Sequence, residues 1–500
     1  MQLSITQKKG GILLSYIQMV SNVLVKFIYT PFLLRELGQN EYGLYSLVMS
    51  IVGYLAILDL GFGSTVTRFT IKYKEAGDKD GLYRLHSTLS LFYVIIGVIA
   101  LIVCFILSCS TQSIFGATMT PTEIQKLRLM IFLVGVNLLF SFPLQISTSV
   151  IIAYERFIFK NGLYLIKTFL QPATMVLLLY LLHIKSVGAI IVVTAFNLLT
   201  YLIYYIYAVK KLDFKVSFSK IDKTLVKPLF SFSVWMFLMM VFEQLQYNSG
   251  QFILGMFQSS DVVAIWGIAM IFILNYRSLS TAIANVFIPS LMALTFNHDA
   301  EGIKNTVSRI IRLQTLVLVF ILLNFILFGK EFLQLWAGDA YVEAYKCTLI
   351  VMIPQTLALV LDFCYLLQMA ENKLKYRTIT VFGSFFVSFF VIYMVKGIDL
   401  VTYSYVMALS MSLGLILFVL LYIKNYGISV GMVLGEFLKV SFPPLAFAVI
   451  PFFLRQNGYL IIANNSLLEF LLEILVFNTL LILVLWFFSL NKEEKARIIH

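Results

Sequence analysis

The stretch GILLSYIQMVSNVLVKFIYTPFLLRELGQNEYGLYSLVMSIVGYLAILDLGFGSTVTR (residues 11–68) decides how the chain is read. It holds two long apolar runs separated by the polar corner RELGQNEYG (35–43). The first run carries Lys26 in its middle, and the second carries Asp59 inside the glycine-rich exit DLGFGS (59–64). Ionisable groups are rare in membrane helices unless they face a packed interior or a wet cavity, so a polar cavity inside a helical bundle is the picture to test on the rest of the chain.

Composition supports it. A soluble protein is about half apolar and a quarter charged; these 500 residues are 60% hydrophobic and 12% charged, with a mean hydropathy of +0.92. At about 20 residues per spanning helix, the apolar segments fall near 11–34, 42–67, 87–110, 127–153, 161–182, 186–209, 228–254, 261–293, 309–328, 347–369, 376–395, 399–423, 437–454 and 466–489. Period-2 alternation is missing and the runs are too long for barrel strands. The expected fold is all-α and polytopic, with about fourteen transmembrane helices and no soluble domain between them. The first segment reads as an uncleaved anchor.

Positive charge fixes the orientation. With the amino terminus inside and alternating spans, inside segments hold 26 Lys and Arg and outside segments eight, while Lys26, Lys167 and Arg277 fall within spans. This bias places both termini in the cytoplasm. It also accounts for the net charge of +12, so no nucleic-acid partner is implied. The richest inside loop, 210–227, divides the chain near its midpoint and reads either as a plain linker or as a segment lying on an anionic inner leaflet.

The second half begins like the first. PFLLRELGQNEYGLY (31–45) and QFILGMFQSSDVVAIW (251–266) share their apolar start, an acidic residue (Glu41, Asp261), and a small-aliphatic-aromatic triplet, with a one-residue slip. Six spans separate the copies, so both helices run the same way, as in transporters whose halves are related by an axis along the membrane normal. The expected organisation is an N-lobe (1–209, spans 1–6), a basic linker (210–227), a C-lobe (228–423, spans 7–12) and two additional helices with a tail (424–500).

Polar residues within spans nominate a site. Ser15, Gln18, Asn22, Lys26 and Thr30 share one helix face. Helix-to-helix hydrogen bonding suits the small members, but a central lysine reads better as lining a cavity. Arg277, Thr281, Asn285 and Pro289 make a similar stripe in span eight. A lysine and an arginine facing inward from corresponding halves suit an anion, phosphate above all. Arg68 either anchors span two or lines the inner mouth, and Lys167 snorkels to headgroups. Among the acids, Glu243 and Asp362 either pair with buried cations or bind a coupling H⁺ or Na⁺. Asp59, Gly61 and Gly63 suggest a hinge or close helix contact, and Pro143, Pro172, Pro289 and Pro354 interrupt spans. The four histidines are scattered in loops or at the end, the four cysteines show no ligand spacing, and no catalytic or nucleotide-binding motif occurs. No enzyme activity, cofactor or metal is expected.

Leu37-Gly38, Glu41-Tyr42-Gly43-Leu44-Tyr45 and Asp59-Leu60-Gly61 resemble the amino-terminal signature of Wzx-type polysaccharide flippases of the MOP exporter superfamily. The resemblance extends to length, span count, the basic central loop and FIPSLMAL (287–294) at the end of span eight. It implies two six-helix lobes in a bacterial cytoplasmic membrane. It further implies export of an oligosaccharide on undecaprenyl pyrophosphate to the outer leaflet by alternating access, alongside other polysaccharide-assembly proteins. In that family cationic cavity residues hold the pyrophosphate, which fits Lys26 and Arg277. The second copy departs from the pattern, with Phe257-Gln258 in place of Leu-Gly. A MATE-like cation-coupled drug exporter is the alternative, which the inward cations oppose. A membrane glycosyltransferase or polymerase is a further one, which the short outer segments oppose.

Overall fold

The computed structural model describes residues 2–499 apart from short stretches, the longest being 218–225, 369–378, 392–397, 423–427 and 458–466. The described helices are α1 (Gln2–Leu37), α2 (Gln39–Leu55), α3 (Phe62–Glu75), α4 (Lys79–Phe115), α5 (Pro121–Ala153), α6 (Phe157–Leu182), α7 (Ser186–Lys211), α8 (Val226–Phe257), α9 (Ser260–Val286), α10 (Ala300–Trp336), α11 (Glu343–Val360), α12 (Leu400–Tyr422), α13 (Val430–Gln456), α14 (Leu467–Val484) and α15 (Lys492–Ile499). Among the described residues nine helices are long and apolar enough to cross a membrane. The protein is a polytopic α-helical membrane protein.

Residue pattern explains why these helices suit lipid. On α4, Leu85, Leu89, Tyr93, Ile96, Ala100 and Cys104 are buried, while Ile95, Ile99, Ile102 and Ile106 are exposed on the other side. Both faces are apolar: one packs on protein and the other meets the hydrocarbon. In water such an exposed stripe would be an aggregation liability.

The chain forms two compact units, Met1–Gly267 and Ile268–His500. In unit one, α4, α5 and α7 enclose a core of Leu89, Tyr93, Phe142, Ile146, Val150 and Tyr204. The start of the basic loop docks on this core. Phe214 is buried against Tyr205 and His86, Ser217 N–H donates to Ser87 Oγ at 2.9 Å, and Lys215 lies over Tyr83. His86 is therefore a buried residue of α4 beside Thr70, not a loop histidine. In unit two, α13 and α14 pack on α10 through Phe447, Phe470, Phe477 and Leu481 against Phe328 and Leu323. Arg312 of α10 forms the polar anchor of that unit. Its guanidinium donates to Glu494 at 2.7 and 2.8 Å, to Glu436 at 3.1 Å and to the Ser489 carbonyl at 2.8 Å.

The internal repeat appears as repeated local geometry. Asp78 caps α4 by accepting from Gly81 N–H at 2.8 Å, and Asp299 caps α10 by accepting from Gly302 N–H at 2.9 Å. Both caps share φ −82°, and both helices run 37 residues. Asp78 and Asp299 lie 221 positions apart, as do Gln39 and Ser260, the first residues of α2 and α9. Gly38 alone joins α1 to α2 at φ +78°, a conformation that favours glycine. Gln258 and Ser259 join α8 to α9, and that extra residue is the one-residue slip between the copies.

Three expectations change. The second apolar segment is two helices, α2 ending at Leu55 and α3 beginning at Phe62, rather than one span. Pro143, Pro172 and Pro354 lie inside continuous α5, α6 and α11 and do not interrupt them. Lys167 does not snorkel: its ammonium donates to Asn197 of α7 and lies 5.9 Å from the Tyr164 ring.

Candidate functional site

The polar face of α1 is accessible. Val20, Leu24 and Ile28 are 58%, 56% and 77% exposed and make the apolar outer stripe. Lys26 lies two residues from both Leu24 and Ile28, roughly 200° round the helix from each. It too is exposed, while Gln18 and Asn22 on its face are half-buried. One helix thus presents two accessible faces, one apolar and one headed by an ammonium. The hydrocarbon cannot wet the second, which is the face expected to line a polar space. Beyond Lys26 the helix closes in, with Thr30, Leu33, Leu34 and Leu37 all buried. The accessible part of the stripe stops between Lys26 and Thr30.

Arg277 and Thr281 of α9 are half-buried, and the Thr281 hydroxyl donates to the Arg277 carbonyl at 3.1 Å. Next to Arg277 the Tyr276 hydroxyl is held by Thr356 at 2.7 Å and the Leu318 carbonyl at 3.2 Å. Glu243 is half-buried on α8, in the same polar stretch as Gln244 and Asn248, whose amide donates to Gln244 Oε1 at 2.6 Å. Asp362 lies in the turn that ends α11. Gly63 is the second residue of α3, and its carbonyl accepts from Thr67 at 2.9 Å. Asp59, Gly61 and Pro289, with the side chains of Arg68, Asn285 and Ser15, fall outside the described residues.

At the α1–α2 corner the structure gathers a cluster that the sequence reading overlooked. Glu41, in the first turn of α2, accepts from Lys126 of α5 and from the hydroxyl and N–H of Ser186, which opens α7. Burial pushes the Glu41 carboxyl up, but its hydrogen bonds to Lys126 and Ser186 outweigh this and hold it below the ordinary value. Glu123 of α5 lies beside it. Its Oε2 accepts from Thr120 N–H at 2.7 Å and from the Thr120 hydroxyl at 2.6 Å; its Oε1 accepts from Asn40 and from Ser260, each at 2.5 Å. The Thr118 hydroxyl donates to the Gly255 carbonyl at 2.8 Å. Four inter-helix connections, α1–α2, α4–α5, α6–α7 and α8–α9, are tied together at this end. The visible signals were the cap sequence TPTE (120–123), where Pro and Glu follow a Thr N-cap, and the echo of 39–45 in 260–266.

That echo is a physical contact. A Cβ on Gly43 would lie 1.9 Å from the Ser260 carbonyl oxygen and 3.4 Å from Ala264 N. A Cβ on Gly267 would lie 2.5 Å from Ser46 Oγ. Gly43 and Ala264 occupy equivalent places in the two copies, as do Ser46 and Gly267, each pair 221 positions apart. The first helical turns of α2 and α9 therefore cross where equivalent small residues meet, and small residues are what allow two backbones to approach this closely.

Comparisons with known proteins agree with this architecture. The family model for polysaccharide biosynthesis proteins matches residues 8–295. An uncharacterized membrane protein of Bacillus subtilis (strain 168), EpsK, is 21% identical over 335 residues, spanning 64% of this chain and 63% of the relative, just under two thirds of its length. A structure of the lipid II flippase MurJ in an inward closed conformation superimposes with a TM-score of 0.70 at 14% identity, covering 95% of this chain and 98% of MurJ. An inward-facing multidrug resistance MATE transporter of the MOP superfamily gives 0.58 at 14% identity, covering 82% and 94%. These likenesses identify the fold as the one used by transporters of that superfamily. With more than half of its residues inside the family model, the chain belongs to the polysaccharide biosynthesis protein family.

Proposed function

We propose that this protein is a flippase that moves a lipid-linked oligosaccharide, carried on undecaprenyl pyrophosphate, from the cytoplasmic to the outer leaflet of a bacterial membrane by alternating access. Family membership supports the pathway, and the fold supports transport rather than catalysis. The observation that carries the reading is Lys26, an exposed ammonium on the face of α1 opposite its lipid stripe. Substrate pyrophosphate binds there, with Gln18 and Asn22 offering neutral donors on the same face, and Arg277 and Thr281 are the corresponding candidates on α9. Guanidinium and ammonium complement phosphate oxygens by paired and point charge respectively. The polyprenyl chain stays in the membrane while the sugar head crosses the polar space.

In this reading the two lobes are spans 1–6 and 7–12, and both termini lie in the cytoplasm. The α1–α2 end is then the outer one, where Thr30, Leu33 and Leu34 are buried. Glu243 and Asp362 are the candidates for a coupling H⁺ or Na⁺, Glu243 being half-buried in a run of amide side chains.

The test is restoration of surface polysaccharide in a flippase-null strain. Wild type restores it, whereas Lys26→Ala with Arg277→Ala leaves the lipid-linked intermediate on the inner leaflet at normal expression. Full restoration by the double variant removes the anion site. Failure of the wild type with every substrate tried, together with protection against cationic drugs, favours the drug exporter.

A further inference from the structure

We propose that Glu123 is the gating residue that holds α2 against α9, and that this contact must break each time the α1–α2 end opens. The proposal rests on the transport reading above for its purpose, but not for its geometry.

Glu123 begins as an ordinary helix-start residue. In a capping box the third residue's carboxylate reaches back to the N-cap backbone, and here Oε2 does so, taking both Thr120 donors. Oε1 has no part in that cap. It accepts instead from Asn40, the second residue of α2, and from Ser260, the first residue of α9. One oxygen atom of α5 therefore joins the starts of two equivalent helices, α2 and α9. Glu123 is 7% exposed and Ser260 1%. Hydrogen bonds to an ionised acceptor in such a setting are roughly twice as strong as neutral ones.

The atoms around it make the junction sensitive to this one group. Gly43 brings α2 onto the Ser260 carbonyl, and Ala264 lies beside the same glycine. These are contacts of small residues. Glu41, by contrast, is tied to Lys126 and Ser186 and fastens α2 to α5 and α7. Only the Glu123 carboxylate also reaches α9 among the carboxylate hydrogen bonds described at this end. α2 can thus stay fixed on α5 and α7 while α9 separates, and the bonds that break are Ser260 to Glu123 and the longer one, 3.4 Å, from the Gln39 amide to the Asp261 carbonyl.

The test reads the seam directly. Ser46→Cys and Gly267→Cys, in a Cys109→Ala background, place a thiol pair across it; a Cβ at 267 lies 3.2 Å from Ser46 Cβ, close to disulfide range. Copper-phenanthroline crosslinking of the purified protein in nanodiscs is followed by mobility shift. Adding Glu123→Gln is expected to slow crosslinking about tenfold, because the amide cannot accept from both partners and keep the Thr120 bonds. Ser260→Ala is expected to do the same without touching the cap. Thr120→Val, which weakens the cap but spares Oε1, leaves the rate unchanged. The proposal fails if Ser260→Ala crosslinks at the starting rate, or if Thr120→Val slows it as much as Glu123→Gln, since Glu123 would then be only a helix cap. Gel-filtration profiles identify any variant that does not fold, and if Glu123→Gln is one, Ser260→Ala against Thr120→Val carries the comparison with the carboxylate in place. Crosslinking needs no substrate, so a protein that passes this test and restores no polysaccharide refutes the proposed cargo and keeps the gate.

Discussion

Glu123, in the first turn of α5, and Arg312, the thirteenth residue of α10, are charged side chains of long helices, one in each compact unit, and each gathers partners from several elements. Their chemistry is opposite. Glu123 is surrounded by uncharged donors, the hydroxyls of Thr120 and Ser260, the Asn40 amide and one backbone N–H. Arg312 faces two full carboxylates, one of them bidentate, and a carbonyl. Neutral donors leaving a carboxylate are replaced by water at a net cost of about 1.5–3 kcal/mol each. Separating a buried guanidinium from its carboxylates strands charge on both sides. The first arrangement suits a contact that is made and broken, and the second suits one that is made once, during folding. Arg312 accordingly ties α10 to α13 and to the segment around α15, the parts expected to lie outside the two repeated halves.

The largest expected effect sharpens this contrast. Arg312→Met keeps the apolar stem and removes the fork, leaving Glu436 and Glu494 without it. Loss on the order of 3–5 kcal/mol is expected for breaking such a buried set, read as a clear fall in the temperature at which the detergent-solubilised protein loses its gel-filtration peak. Glu123→Gln should lower that temperature much less. Equal shifts for the two variants would erase the distinction between a fastener and a gate.

The sequence made one of these clusters partly visible and hid the other. The helical fold was legible because apolar runs of spanning length need no tertiary information, and Lys26 stood out because a charge inside such a run has few harmless explanations. Glu123 and Arg312 were invisible as site residues. Glu123 lies in the first turn of α5, where charge is the normal composition, and Arg312, the thirteenth residue of α10, was simply one more basic residue on the inside. Their roles arise from residues far away in sequence, Asn40 and Ser260 in one case and Glu436 and Glu494 in the other. The repeat was legible from 31–45 and 251–266, but not that its two copies touch, since nothing in a sequence says which side of a glycine is occupied. The broken second segment was half-visible in Gly61 and Gly63. The uninterrupted α5 and α6 were misread because proline in a membrane helix can be accommodated by its neighbours.

A second prediction concerns how little room the α2–α9 contact has. Gly43→Ala introduces a Cβ that meets backbone atoms of Ser260, its carbonyl oxygen at 1.9 Å and carbonyl carbon at 2.7 Å, so the helices must part. Crosslinking between cysteines at 46 and 267 should then be nearly abolished. Gly267→Ala meets a serine hydroxyl that can rotate away and the Ser46 Cβ at 3.2 Å, a contact relieved by a few tenths of an ångström, and alanine is the better helix former by about 1 kcal/mol. That variant should keep its thermal stability within about that margin. If Gly43→Ala crosslinks like the parent, the close approach is not what sets the seam.

The smallest effect expected is a dependence on acid at the fastener. Glu494 lies on α15, beyond the last candidate span. Burial pushes its carboxyl up, but the hydrogen bonds from Arg312 and the Asn491 N–H outweigh that and hold it below the ordinary 4.5. A carboxyl whose value is depressed in the folded protein contributes stability that is fully present above its unfolded value and is lost as pH falls through the folded one. The α15 attachment should therefore be constant from neutral pH down to about 4.5 and loosen only below it. A nitroxide on Ala496→Cys, in a Cys109→Ala background, reports this as a rise in spin-label mobility confined to the acid side. The same label in Glu494→Gln should be mobile at neutral pH already and show little further change. A mobility rise centred well above the ordinary carboxylate range would mean that some other group holds the segment. Arg312 would then be an anchor for Glu436 and α13 alone, and the contrast with Glu123 would narrow to the number of helices each one joins.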